Sequence, residues 1–448
     1  MKKKILIFSL FVLGGFIFRV FQYYAFPVYG ETYDETAWAH LGASLIQERV
    51  PTSWSFFDAY DGEYIYKTGI YQAPIVRPVF DHPPLFSLIP GLAHSLKTNW
   101  LQPPSVKVIR LPMVLLGAIN VGLFWLLADK FFKDKKWSIL TSILFMTIPT
   151  LVFSSRLVVA ENLLVTWTIL SFLTILNLDK KWSLKAIFLL SLAAVLTKVS
   201  GIVIPASFLA IGFLKKDWKL FKTSLFGALT GIGLFALYGA VYDWSLFVKL
   251  ISAQSNRNLS LVTLQNRLFL HPTVSSHLFF DGWKILGLFS LIFILDKEKN
   301  KYFFIKIFSL INLAFILFTV GGTTFHGWYD FMLWPVLVIS IGVLFKKIYE
   351  KELFLFSGLV WLLLLPLIQL LAASTKTVFS LWTMRGIVSV GFLPILLDSI
   401  GLKKVSKKTL FALLAILVII NILVIFSLDM FDYWDYTVFF EEGMPKTR

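Results

Sequence analysis

The sequence predicts an all-α polytopic membrane protein, and three observations lead to this prediction. Of its 448 residues, 57% are hydrophobic and only 15% are charged, whereas soluble globular proteins carry about 25% charged residues. The mean hydropathy is +0.76, more apolar surface than one globular core encloses. Apolar runs of the length that crosses a bilayer, about 20 residues, recur along the whole chain. These observations exclude a soluble enzyme.

Thirteen apolar runs predict about 13 transmembrane helices. They cover residues 5–24, 108–127, 137–153, 157–178, 186–197, 201–214, 223–242, 278–295, 303–320, 328–345, 353–373, 378–397 and 410–428. Residues 184–214 are divided into a hairpin, because a single helix of that length would span about 46 Å, more than the hydrocarbon core. Residues 85–96 are apolar but too short to cross, and we interpret them as a re-entrant or interfacial helix.

The distribution of charge predicts the orientation. If the first span runs outward, seven lysine-rich segments between spans face the cytoplasm and hold 25 basic and 9 acidic residues, while the outward remainder holds 17 of each. The whole net charge of +16 then lies on one side, as the positive-inside rule requires. The N-terminus is therefore expected inside and the C-terminus outside. The first span is expected to be a retained anchor, and the basic surface is expected to contact lipid and no nucleic acid.

This topology divides the chain into three parts. Residues 1–215 form the predicted catalytic module, with an acidic first outer loop at 27–84. Residues 216–428 form a variable transmembrane half with a second outer loop at 243–277, and 429–448 form a short outer tail. The absence of cysteine excludes disulfides, thiolate nucleophiles and cysteine-ligated metals. Any chemistry is expected in the outer loops and at the outward ends of the helices.

The first outer loop contains the most prominent acidic motif, Asp34-Glu35, at the head of a predicted amphipathic helix. One interpretation is structural: Thr32 and Glu35 form a capping box, and Asp34 favours the positive end of the helix. The other is chemical: Asp34 is a general base for an acceptor hydroxyl. Consecutive helical residues point about 100° apart, so only one of the two carboxylates can face a given substrate atom.

Several cationic or titratable side chains are predicted to lie at the same outward level. Ionisable groups at membrane depth are costly and usually functional, although long basic side chains can instead snorkel to the lipid headgroups. A cluster of them beside a carboxylate could clamp a phosphate and neutralise its developing charge. The candidates are His82, Arg110, Arg156, Glu161, Lys198 and, in the second outer loop, Arg257.

Five motifs in the first 215 residues resemble those of the polyprenyl-phosphate-sugar glycosyltransferases of the GT-C fold. This family includes the dolichyl-phosphate-mannose protein mannosyltransferases and the bacterial aminoarabinose transferase of lipid A. Each motif alone is weak, but five in the right order on the same predicted side are specific. They are Asp34-Glu35, His82-Pro83-Pro84-Leu85, Arg110-Leu111-Pro112, the segment from Ser155 to Asn162 that contains Glu161, and Lys198-Val199-Ser200-Gly201.

The resemblance implies a GT-C fold and an inverting glycosyltransferase that moves a sugar from a polyprenyl phosphate to an acceptor hydroxyl of a protein, lipid or glycan. It implies that Asp34 is the base and that Glu35 and Glu161 support acceptor or metal binding. It also implies that Arg110, Lys198 and His82 hold the donor phosphate. A divalent metal ion is left open, and no other cofactor is expected. The expected location is the plasma membrane, with the site facing outside.

Two other functions stay open at this stage. A lipid or sugar transporter or flippase would use the same helices without chemistry, but would be expected to place more charges in the middle of its spans. An O-antigen ligase-like enzyme would use a lipid-linked donor and centre on Arg and His in a late outer loop such as 243–277. The sequence identifies neither the sugar nor the acceptor.

Overall fold

A computed structural model describes residues 2–27, 34–70, 73–255, 281–295, 300–319, 327–351, 353–375 and 380–428. These residues form α-helices, two 3₁₀ helices and one small sheet. The first half contains α1 Lys2–Val20, α2 Asp34–Glu48, β1 Ser53–Trp54, β2 Ile65–Ile70, β3 Ala73–Val76, α3 Leu88–Ser95, α4 Val106–Phe132, α5 Lys135–Thr147, α6 Pro149–Ser154, α7 Glu161–Ile175, α8 Ser183–Thr197, the 3₁₀ helix Val199–Ile202 and α9 Val203–Leu214. The second half contains α10 Trp218–Tyr242, α11 Trp244–Ser255, α12 Trp283–Leu295, α13 Asn300–Thr319, the 3₁₀ helix Gly327–Leu333, α14 Trp334–Lys351, α15 Leu353–Ser374, α16 Leu381–Ser399 and α17 Lys403–Leu428.

Every predicted span coincides with a helix or with two consecutive helices. Pro149 divides the third span into α5 and α6, because proline cannot continue the hydrogen bonding of α5 but fits the first turn of a new helix. Residues 184–214 are divided between α8 and α9 by a 3₁₀ turn, as predicted; that the two helices cross the membrane as a hairpin stays a prediction. By length and composition alone, four described helices could cross a membrane: Val106–Phe132, Trp218–Tyr242, Gly327–Tyr349 and Lys403–Ser427. The number of spans stays a prediction.

The lysine-rich segments between spans meet at one end of the helices. Lys4 Nζ lies 2.9 Å from Asp129 Oδ2, and Lys346 Nζ lies 3.1 Å from Asp134 Oδ2. We call this the inner end, and the opposite end, which carries α2, α3 and the sheet, the outer end. These two ion pairs join three of the lysine-rich segments at the inner end. Which end faces the cytoplasm stays a prediction.

The first outer loop contains a three-stranded antiparallel sheet that the all-α prediction omits. Its strand order is β1-β3-β2, with Ser53 opposite Val76 and Lys67 opposite Ile75. Trp54 and Ile75 from this sheet pack with Ala43 of α2 and with Trp100 in a small buried cluster. The sheet thus fixes the first outer loop against α2.

Helix α2 is buried more completely than an amphipathic surface helix would be. Its residues from Trp38 to Ser44 are all buried. It crosses α3 in backbone contact, since a Cβ on Gly42 would lie 1.8 Å from the Ser87 carbonyl oxygen. Only glycine permits this approach. The predicted apolar stripe therefore accounts for only one of the faces that α2 buries.

The second outer loop begins with a helix, α11, that the sequence analysis treats as part of a loop. Leu246, Phe247 and Leu250 of α11 are buried in a cluster with residues of the first outer loop. Their spacing of three to four residues is a helical pattern, so the signal was present in the sequence. The rest of this loop, including Arg257, lies outside the described residues.

Because the chain has no cysteine, introduced thiols report sidedness without background. In intact cells, we expect Asp61→Cys and Ser255→Cys to react with an impermeant maleimide, because both residues are exposed at the outer end. We expect Asp134→Cys, at the inner end, to react only after permeabilisation. Labelling of Asp134→Cys in intact cells would overturn the predicted orientation.

Candidate functional site

The acidic motif lies at the start of α2, and its two carboxylates have different surroundings. Glu35 has no exposed surface and receives two hydrogen bonds from Arg110, at 2.7 Å from Nε and 2.6 Å from Nη2. The backbone N–H of Val158 donates a third, at 3.1 Å. Glu35 thus joins α2 to α4 and to the segment before α7. Thr32, the other member of the predicted capping box, lies outside the described residues.

Arg110 is as buried as its partner, and its remaining Nη atom is also bound. Nη1 donates to the carbonyls of Pro27, at 2.6 Å, and Tyr23, at 3.1 Å. Planar, two-point pairing with a carboxylate is the geometry that arginine satisfies best. The sequence analysis expects Arg110 at the donor phosphate, but here it binds Glu35 and the end of the α1 connection because that burial demands a full set of acceptors.

Lys198 and Glu161 form a second buried pair. Lys198 lies between α8 and the following 3₁₀ turn, is 4% exposed, and donates from Nζ to Glu161 Oε1 at 2.7 Å. The turn is tight: Gly201 N–H donates to the Lys198 carbonyl at 2.8 Å, and a Cβ on Gly201 would lie 1.9 Å from the Ala194 carbonyl oxygen. The Lys-x-x-Gly spacing therefore places the lysine beside the first residue of α7.

Asp34 is only half-buried, in contrast to Glu35. Its charge acts on both Glu161 and Lys198, so the fold brings these three predicted residues into one electrostatic cluster although they are far apart in sequence. The second Glu161 oxygen, Oε2, is buried without a hydrogen-bond partner. An unpaired acceptor of this kind is unusual in a folded protein.

An open cavity of about 370 Å³ adjoins this cluster at the outer end. Its polar lining includes Lys198, His82, Gln254 and Tyr329, and its apolar lining includes Ile251, Phe315 and Phe318. Lys198 Nζ lies 4.9 Å from the centre of the Tyr329 ring, within the range of a cation–π contact. The cavity thus combines cationic and aromatic groups with an apolar wall.

His82 is held at the cavity by a ring stack. Its imidazole lies over the indole of Trp38, with 4.8 Å between ring centroids and 16° between planes. Trp38 is one helical turn after Asp34 and therefore lies on the same side of α2. The two prolines after His82 restrict its backbone.

The segment before His82 is fixed by Asp81, which accepts a hydrogen bond from Tyr60 Oη at 2.8 Å. Burial and the Asp81 carboxylate raise the pKa of Tyr60.

Arg156 does not line the cavity. It has no exposed surface and donates to the carbonyls of Phe26 and Phe18, both at 2.9 Å. It thus packs under the connection after α1, and its predicted contact with substrate stays a prediction. Arg257 lies outside the described residues.

The sequence did not predict Trp38 as the support of His82 or Tyr329 as part of the cavity wall. Tyr329 is fixed by its neighbour Asp330, which pairs with Lys284. Nothing in the local sequence distinguishes these two aromatic residues from the other aromatic side chains of a chain with 45 Phe, 15 Trp and 15 Tyr. Within the described ranges, no group of three His, Asp or Glu side chains is placed to hold a metal ion.

The fold resembles that of solved membrane glycosyltransferases. ArnT from Cupriavidus metallidurans bound to undecaprenyl phosphate matches with a TM-score of 0.55 and 12% identity, over 95% of this chain and 77% of that chain. Its apo structure matches with a TM-score of 0.52 and 13% identity, over 95% and 76%. The archaeal oligosaccharyltransferase AglB from Archaeoglobus fulgidus, in complex with an inhibitory peptide and a dolichol-phosphate, has a TM-score of 0.49 and 11% identity, over 90% and 55%.

The two ArnT matches confirm the predicted GT-C fold. At 12% to 13% identity, the ArnT structures establish the fold alone. No family model matches the sequence, and no curated protein matches it. The roles of the individual residues therefore rest on the geometry of this chain.

The Glu35–Arg110 pair should be essential for stability. Arg110→Met leaves the Glu35 carboxylate buried without its cation, which we expect to lower the free energy of unfolding by about 3–5 kcal/mol. The double variant Glu35→Gln, Arg110→Met should regain part of that loss. Arg77→Met is the control, because the Arg77–Glu48 pair is about one-third exposed and should contribute at most about 1 kcal/mol. Equal unfolding midpoints for Arg110→Met and wild type in detergent would contradict this role.

Proposed function

We propose that the protein is a glycosyltransferase that moves a sugar from a polyprenyl-phosphate donor to an acceptor hydroxyl at the outer face of the cell membrane. The observation that carries the proposal is the cluster of half-buried Asp34 with Lys198 and Glu161 beside a cavity that His82 also lines. It provides a half-buried carboxylate and two cation-forming side chains at one place. The GT-C fold shared with ArnT, whose structure contains undecaprenyl phosphate, supports the choice of donor.

The proposed reaction is a single displacement with inversion. The Asp34 carboxylate accepts the proton of the acceptor hydroxyl as its oxygen forms a bond to the anomeric carbon. The bond between that carbon and the phosphate oxygen breaks, and its electron pair leaves with the lipid phosphate. Lys198 and His82 lie on the cavity wall, where positive charge would stabilise the departing phosphate.

Glu35, Arg110 and Arg156 take supporting roles in this proposal. Glu35 and Arg110 bind each other and hold the first turn of α2, which carries Asp34. Arg156 donates to the backbone carbonyls of Phe18 and Phe26 and so holds the connection that follows α1. Glu161 accepts a hydrogen bond from Lys198 and so keeps the lysine in place beside the cavity. The sugar, the acceptor and any metal ion are left open by these contacts.

Asp34→Asn should abolish transfer with little effect on folding, because the amide keeps the shape of the side chain but cannot take a proton. The assay uses purified protein in liposomes with radiolabelled undecaprenyl- or dolichyl-phosphate sugars and candidate acceptors. Asp61→Asn is the control, since this exposed carboxylate in the same loop pairs only with a surface lysine at 3.4 Å. Full activity of Asp34→Asn would refute its role as the base.

If Asp34 only stabilises the start of α2, the result should be the reverse: a loss of about 1 kcal/mol in stability with unchanged turnover per folded molecule. Measuring thermal unfolding and turnover on the same samples separates these cases. A protein that moves the labelled lipid across the bilayer without sugar transfer would instead be a flippase.

Lys198 should matter through its charge. Lys198→Met alone leaves Glu161 buried without its cation, so we expect it to lower both stability and transfer. The double variant Lys198→Met, Glu161→Gln removes both charges and should fold, yet transfer at least about 100-fold more slowly, as expected when one transition-state interaction is lost. Normal transfer by this double variant, or direct use of a nucleotide sugar by the wild type, would contradict the proposed donor site.

A further inference from the structure

Arg19, near the outer end of α1, is a buried cation with no carboxylate partner among the described residues. It is 1% exposed, and its hydrogen bonds go to the carbonyls of Gly15 and Met146, at the long distances of 3.3 and 3.4 Å. Its Nε–H has no partner, and the nearby guanidinium of Arg156 repels it. Arginine keeps its proton in proteins, and a buried charge is costly unless an opposite charge compensates it.

Arg19 lines a small internal cavity of about 20 Å³, which has room for one water-sized body. The other polar residues on its wall are Asn120, Ser154, Ser155, Asn162 and Trp334. The indole Nε1–H of Trp334 is buried and also has no hydrogen-bond partner. Among the described residues, the wall therefore holds two unpaired N–H donors and no carboxylate. It shares no residue with the cavity beside Lys198.

We propose that this cavity binds a single monovalent anion of halide size, with chloride as the occupant. A chloride would accept hydrogen bonds from Arg19 Nε and Trp334 Nε1 and would neutralise the guanidinium. A water molecule could fill the space but would bring no charge. Room for one water-sized body suits a monatomic ion better than phosphate, sulfate or a sugar phosphate. Because this cavity shares no residue with the one beside Lys198, the site is separate from the proposed donor site and does not rest on the proposed function.

The bound anion would lie between several helices, including α7, which carries Glu161 of the cluster with Asp34 and Lys198. The cavity wall comes from α1, α4, α5, α6, α7, the 3₁₀ helix Gly327–Leu333 and α14. Asn162 follows Glu161 in α7, and Phe331 lies two residues after Tyr329. A bound chloride would therefore stabilise the packing of the helices directly adjoining Glu161 and Tyr329.

Thermal unfolding of the purified full-length protein in detergent tests the site. At constant ionic strength, we expect the unfolding midpoint to rise and saturate as chloride or bromide replaces gluconate, as for a ligand that binds only the folded state. In crystals grown with bromide, an anomalous peak should lie between Arg19 and Trp334. Identical midpoints in all three salts together with no bromide peak there would overturn the proposal and assign the cavity to water.

Two variants test whether the rise in unfolding midpoint comes from halide bound in this cavity. Trp334→Phe keeps a ring but removes one donor, and we expect it to need at least about tenfold more halide for the same rise in midpoint, the equivalent of 1.4 kcal/mol. Trp283→Phe is the matched control, because its equally buried N–H already donates to Asn421 Oδ1 at 3.1 Å. It should lower the midpoint equally in every salt. An unchanged halide response in Trp334→Phe would contradict the site.

Discussion

Pairing of buried charges at the outer end of the helices is the constraint on which the rest of the structure depends. Glu35 and Arg110 are both fully buried, and neither tolerates that burial alone. Their contact fixes the first turn of α2 against α4 and, through the Val158 N–H, against the segment before α7. Because adjacent helical side chains diverge by about 100°, burying Glu35 leaves Asp34 on a different and more open side.

The Lys198–Glu161 pair follows the same principle but has a different consequence. Both side chains are almost completely buried, yet Lys198 also lines the open cavity. An anion that enters the cavity meets a lysine whose charge is already partly compensated, so it must compete with Glu161 for Lys198. Such competition limits how tightly a ground-state phosphate binds and favours the more highly charged group that forms as the sugar leaves. In the proposed reaction, this property favours turnover over retention of the donor.

The sequence predicted where the helices lie and drew attention to candidate residues among them, for a physical reason. Apolar runs must be long enough to cross a bilayer, and ionisable residues among them are rare enough to attract notice, as with Glu161 and Lys198. The sequence could not predict which charged side chains pair with each other. Glu35 and Arg110 are 75 residues apart, and their contact depends on how α2 packs over α4. It also could not predict β1, a two-residue strand that is too short for a periodic signal.

The composition of the outer cavity restricts the ligand more than any single residue does. Its wall carries polar side chains, Lys198, His82 and Tyr329, together with apolar ones, Ile251, Phe315 and Phe318. A free nucleotide sugar would satisfy the cationic part but leave the aromatic and aliphatic part without an apolar partner. A lipid-linked phosphate presents its charge directly beside a hydrocarbon chain and can occupy both parts together. Since Phe318 lies near the end of α13 and is 74% exposed, a lipid tail can extend from the cavity along this apolar surface while its phosphate stays beside Lys198.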